Sequence, residues 1–207
     1  DIIFHTAACK QAPLMQANPG EAVRTNLFGT IQTALTAGRH RVGRFILIST
    51  VRAAEPAGVM DATMRLAEIA VRRLADRFPA TSLAVVRLSS VLDSHGSVVP
   101  LFQRQIRTTR RVTVTHPESR RSFITLRDAA CLTLETAARA VSGDIFVHSR
   151  QQPIRIADLA EDLIRLSGFE PGPDIAIEYT GPRPGEAIGE PVGPPQPAGA
   201  SSPQSEH

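Results

Sequence analysis

The stretch "ISTVRAAEP", residues 48–56, places two hydroxyls and a guanidinium at the end of an apolar run. Ser49 and Thr50 can each donate one hydrogen bond and accept others, whereas the side chain of Val51, which follows them, can move no proton. Arg52 stays protonated at any physiological pH, so it is a poor general base. Shortly after, "GVMDATMRLAE" (58–68) sets Met60 and Met64 four residues apart, on one face of a helix. A methionine thioether transfers no proton either. Lys10, in "CKQAPLMQANP", is the only lysine, so nearly all of the basic charge is arginine. The planar arginine fork binds oxygens in pairs, which suits phosphate and diphosphate.

These residues need a scaffold, and the chain alternates strand and helix. "IIFH" (2–5) reads as a short apolar strand, followed by a helical pattern from Pro19 to Ala37. "RFILIST" (44–50) is continuous and apolar, as buried parallel strands are. Residues 58–78 form a long helix and "SLAVVRLSS" (82–90) a third strand, giving a βαβαβ unit with helices on both faces of a parallel sheet. Beyond Ser90 the pattern loosens. "SVVPLFQRQI" reads as a short helix, "RVTVTH" as a strand, 125–140 as a helix and "DIFVH" as a strand. "IRIADLAEDLIRLSG" is an amphipathic helix ended by Gly168, and "DIAIEY" a last strand.

The fold class expected is therefore α/β: a partial Rossmann-like sheet over 1–90, a small α/β lobe over 91–188, and a tail over 189–207. The tail is dense in Pro, Gly, Ala and Ser, too polar to offset its ordering entropy, so disorder is expected there.

Composition narrows the function classes. The chain has 207 residues and a net charge of +3, with aromatics at only 4%. No stacking platform alternates with the arginines, which argues against nucleic acid. Cys9 and Cys131 have no metal-ligand spacing and suggest no disulfide framework, so a reducing cytoplasm is expected and no metal. No apolar run reaches the length of a membrane span. The sequence starts at Asp1 rather than Met, and an incomplete chain is expected.

Five segments in order carry a resemblance: "DIIFHTAACKQAPLMQANPGEAVRTNLFGT", "FILIST", "RLSSVLDSHGSVVPLFQRQI", "VTVTHPESRRSFITLRDA" and "TGPRPGE". They resemble the bacterial CapD-like nucleotide-sugar 4,6-dehydratases and epimerases of polysaccharide biosynthesis, in the extended short-chain dehydrogenase/reductase superfamily. The resemblance spans residues 1–188. It implies a Rossmann-type domain holding NAD(P), a C-terminal lobe holding a UDP-sugar, and lyase or isomerase chemistry. It also implies that full-length relatives can be anchored to the inner membrane. The family's first strand and glycine-rich turn, where backbone N–H groups cradle the pyrophosphate, have no counterpart, since no G-x-G-x-x-G occurs.

By that resemblance, Ala7 and Ala8 line the cofactor with His5 behind them, unless the strand end simply packs small residues. Lys10 lies near the substrate or is a solvated loop lysine. Asn26 holds a helix bend beside the site, an unfavourable residue for mid-helix otherwise. Ser49 and Thr50 supply the hydroxyl that aids sugar oxidation. Val51 stands at the acid position, Arg52 at the base position and Met64 at the lysine position, while Met60 at the tyrosine position is familiar in this branch. Arg87 and Ser90 stand at substrate-binding positions on the sugar side, Arg121 and Arg183 are the candidates for the diphosphate, and Glu186 belongs to the substrate-binding set; for the arginines a solvated surface role is the other reading.

Met60, Met64, Ala67 and Val71 form one apolar stripe on their helix, and Leu66, Ile69, Ala70 and Leu74 another. A helix so apolar is expected to be buried, in a homo-oligomer built through the 20–37 and 58–78 helices. Two functions follow: an NAD(P)-dependent dehydratase or epimerase, or a non-catalytic relative, either a nucleotide-sugar-binding pseudoenzyme or a degraded gene fragment.

Overall fold

The computed structural model describes residues 1–94, 96–147 and 152–189. His95, the end of the expected strand at His148 and the expected disordered tail from residue 190 onward lie outside the described residues.

Strand β1 (Ile2–His5) leads into short helices α1 (Ala12–Ala17) and α2 (Pro19–Ala22), a π-helical segment Val23–Gly29, and helix α3 (Thr30–Arg39). β2 (Arg44–Thr50) ends in a 3₁₀ turn, Val51–Ala54, before the long helix α4 (Val59–Ala75) and strand β3 (Ser82–Leu88). β4 (Ser90–Val91), α5 (Val98–Thr108), β5 (Arg111–Val114), β6 (Arg120–Arg121) and β7 (Phe123–Ile124) follow. The remainder is α6 (Leu126–Arg139), β8 (Ile145–Val147), β9 (Ile154–Arg155), α7 (Ile156–Leu166) and β10 (Ala176–Tyr179).

The main sheet has four parallel strands in the order β1-β2-β3-β8. Its central strands alternate faces, as strand geometry requires. Phe45, Leu47, Leu83 and Val85 pack with Ala34, Ala37, Met64, Ala67 and Val71 from α3 and α4. Ile46, Ala84 and Val86 point the other way, onto Ala137 of α6. Each large side chain so buried contributes about 1.5–3 kcal/mol, which is why these runs are apolar without interruption. The expected α/β architecture with helices on both faces is present.

A second core lies around the parallel pair β5–β10, where Phe102, Ile106, Val112, Val114, Ile156, Ile164 and Ile175 meet. Between these parts the chain returns to the main sheet, because α6 covers it and β8 pairs with β3. Gly168 has φ +83° and follows the end of α7, a conformation open to glycine.

Some boundaries differ from the sequence reading. α1 had no expected counterpart, being one short turn-and-a-half that starts at a proline. The third strand splits, with Ser90 leaving the main sheet to pair with Phe123. Ile154 and Arg155 pair as a strand with Arg121 and Arg120 rather than opening the helix. On α4 the stripe of Met60, Met64, Ala67 and Val71 is buried, but the second stripe is not: Leu66 is 48% and Ile69 42% exposed. Within one chain the main sheet covers only one side of this helix, and Ala70 and Leu74 of the second stripe are half-buried.

Candidate functional site

Parallel strands deliver their carboxyl ends to one edge of the sheet, where loops can meet a ligand. At the end of β1, His5 is buried and stacked on Phe45, with Nε2 3.1 Å from Thr30 Oγ1. The Thr30 hydroxyl donates to Asn26 O at 2.7 Å, so His5 Nε2 must carry the proton and donate to it. Burial holds the His5 pKa below its usual value. His5 thus braces the strand, while Ala7 and Ala8 after it are exposed.

Asn26 is buried in the π-helical segment, and its amide replaces missing backbone partners. Its Oδ1 accepts from Cys9 N at 2.7 Å, and its Nδ2 donates to Cys9 O and to Thr63 Oγ1. Thr63 spends its own proton on Met60 O, which fixes the orientation of the Asn26 amide. The asparagine therefore sits in π-helical backbone rather than in a regular α-helix, and it ties the loop before exposed Lys10 to α4.

Ser49 and Thr50 point to different tasks. Ser49 donates to Glu68 Oε1 at 2.6 Å inside the protein. Arg87 meets the same carboxylate twice, Nε to Oε1 at 2.9 Å and Nη2 to Oε2 at 2.6 Å, and Arg65 adds a contact at 3.3 Å. Glu68 is 0% exposed. This network bolts α4 to β2 and β3, and it commits both Ser49 and Arg87 to the interior. Thr50 is different: its oxygen accepts from Arg52 N, which leaves its hydroxyl proton available to a ligand.

Met60 and Met64 also diverge. Met64, 5% exposed, belongs to the main core beside α3, whereas Met60 packs with Ala12, Met15 and Ala22. Val51 and Arg52 are half-buried in the 3₁₀ turn. Arg52 Nη2 pairs with Asp61 Oδ2 at 2.8 Å, and Ala57 N donates to the same oxygen at 3.4 Å. Asp61 is 1% exposed; burial raises its pKa, while the charges of Arg52 and Arg121 and these hydrogen bonds pull it down.

The C-terminal segment lies across the start of α4. A Cβ on Gly58 would sit 2.8 Å from Gly185 Cα, so only glycine permits this approach. Gly185 has φ +79°, and Gln16 Oε1 takes the N–H of Val59 just beneath. Arg121 Nη2 donates to Ala187 O at 2.6 Å and Nη1 to Ile188 O at 3.3 Å, so this arginine clamps the segment. Arg183 pairs with Glu186 in an exposed turn at the same place. Ser90 is half-buried, its N–H bonded to Ser122 O.

The structure thus gathers Thr50, Arg52, Arg121, Arg183 and Glu186 around the start of α4, and sets Lys10, Ala7 and Ala8 at the end of β1. It withdraws His5, Asn26, Ser49, Met64 and Arg87 into the fold. Glu68 and Asp61 are central here and escaped the sequence reading. Glu68 looks like an ordinary surface-type residue on a helix, and Asp61 like a first-turn acid favoured by the helix dipole. Among the described residues no group of His, Cys, Asp or Glu could hold a metal ion. No described helix is long and apolar enough to cross a membrane.

A family model described as "Polysaccharide biosynthesis protein" matches residues 1–196. The chain belongs to that family. Over 188 residues it is 46% identical to the capsular polysaccharide biosynthesis protein CapD of Staphylococcus aureus, covering 91% of this chain and 31% of that protein. It is 42% identical to the probable polysaccharide biosynthesis protein EpsC of Bacillus subtilis, with the same coverage. The chain thus spans about a third of these two curated relatives.

Among solved structures, Pen from Bacillus thuringiensis is similar at a TM-score of 0.86 and 34% identity, covering 91% of this chain and 57% of that one. The dTDP-glucose 4,6-dehydratase DesIV from Streptomyces venezuelae, solved with NAD bound, shares the fold at a TM-score of 0.83 and 16% identity, covering 93% of this chain and 64% of that one. This member of the polysaccharide biosynthesis protein family thus shares its fold with an NAD-bound nucleotide-sugar dehydratase.

The residues present do not by themselves fit a dinucleotide. Ala7 and Ala8 offer a small, open edge, but Met64 in the core gives no cation for a ribose, and His5 is engaged elsewhere.

Proposed function

We propose that this chain binds a UDP-sugar for polysaccharide biosynthesis and does not carry out sugar elimination. The observation that carries this reading is the state of the proton-transfer positions. Val51 has no titratable group, Arg52 is locked on Asp61, and Met64 is part of the apolar core. What a ligand could use is the cluster at the start of α4: the Thr50 hydroxyl, and the exposed Arg183, whose fork would exchange Glu186 for a diphosphate, while Arg121 holds the segment that carries it. Ser90 lies on the sugar side.

The test is calorimetric titration of the chain with UDP-glucose, followed by incubation with NAD and assay for 4-keto sugar. Saturable binding without product is expected. No binding refutes the binding part, and accumulation of 4-keto sugar refutes the non-catalytic part. A second reading, an active dehydratase or epimerase, is favoured by the free proton of Thr50. It requires product from the unaltered chain.

A further inference from the structure

The ion pair between Arg52 and Asp61 is skewed. Side-on engagement of an arginine with a carboxylate joins Nε and one Nη to the two oxygens. Here Nη2 meets Oδ2 at 2.8 Å, and Arg52 Nε and Asp61 Oδ1 are both buried with no partner among the described residues. A buried donor or acceptor left unmet is costly, more so when charged, so a charged pair with one of each left over is built for something else. The surroundings point to the ligand cluster. Arg52 N donates to Thr50 Oγ1, and the charge of Arg121 reaches Asp61. Gly185 lies on Gly58, at the foot of the same helix turn.

One unmet donor beside one unmet acceptor fits a group that is both. A phosphate is excluded, since it only accepts and the Asp61 carboxylate repels it. A hydroxyl matches, donating its proton to Oδ1 while its oxygen accepts from Nε–H. We propose that Asp61 and Arg52 together recognise a hexose hydroxyl of the bound nucleotide sugar and so set sugar specificity. This rests on the nucleotide-sugar reading above.

Titration with UDP-glucose and with UDP, which lacks the hexose, separates the two ideas. Arg52→Lys keeps a cation against Oδ2 but deletes Nε, and Asp61→Asn removes the charged acceptor. In both, the advantage of UDP-glucose over UDP is expected to fall about tenfold, the weight of a charge-assisted hydrogen bond. An unchanged advantage in Arg52→Lys means the pair holds only an ordered water, and overturns the proposal even if Asp61→Asn fails to fold. Failure of the unaltered chain to bind UDP or UDP-glucose overturns the nucleotide-sugar reading, and this proposal with it.

Discussion

Replacing Arg87 by methionine tests whether this residue belongs to the fold rather than to a ligand. The substitution removes both guanidinium contacts to Glu68, at 2.9 and 2.6 Å, and leaves a fully buried carboxylate with only Ser49 and the longer 3.3 Å contact to Arg65. Breaking one side of a buried pair costs about 3–5 kcal/mol, because the abandoned charge keeps its desolvation penalty. For a domain of this size each kcal/mol lowers Tm by about 2–4 °C, so a fall of roughly 6–20 °C is expected. Replacing Glu68 by leucine in the same chain removes the abandoned charge, and the double variant should recover most of the loss. The assay is guanidinium unfolding followed by circular dichroism, since the chain has one tyrosine and no tryptophan. A loss under about 1 kcal/mol for Arg87→Met, a range typical of exposed pairs, would refute the argument. So would a double variant as unstable as the single one.

Met64→Lys should place an ammonium in the apolar core, at a cost of about 3 kcal/mol or more at pH 7. A buried lysine has a lowered pKa, so this deficit should shrink as pH rises toward 10; a pH-independent deficit in unfolding experiments would count against burial there. Asn26→Ala leaves the N–H of Cys9 without its acceptor and should cost about 1–3 kcal/mol, with faster amide exchange at Cys9 and Lys10. Unchanged exchange would show that Asn26 does not hold that loop. Because burial lowers the His5 pKa, its neutral form favours folding above pH 6.5, and this stability is lost as pH falls through the lowered value. His5→Gln should accordingly narrow the gap to the unaltered protein between pH 7 and 5. For Asp61 the sign is opposite: its raised pKa contributes stability in full below about 3.8, fading as pH rises through the folded value. The stability of the unaltered chain relative to Asp61→Asn should therefore improve from pH 7 toward pH 4, and a flat difference would refute the assignment.

The order of the long strands and helices was determined by the sequence alone, because each depends on local signals, whereas α1 and the two-residue strands were not legible. The runs at 45–48 and 83–86 are apolar without interruption since both faces of these strands are covered, and Gly168 marks the end of a helix through its own backbone freedom. The ordered motifs also specified the family. The irregular helix at Asn26 was legible as well, as an awkward residue in mid-helix.

What the sequence could not assign was the employment of each charged side chain. Arg87 and Glu68 are 19 residues apart, Arg52 and Asp61 nine, and Asn26 and Thr63 thirty-seven. A guanidinium is equally at home on phosphate, on carboxylate or in water, and only the packing of α4 against the sheet decides which it meets. Packing also decided which stripe of α4 is covered, since a helix can be apolar on two faces while one sheet buries only one. Tertiary structure therefore moved Arg87 and Ser49 into the core and brought Asp61 to the edge of the site.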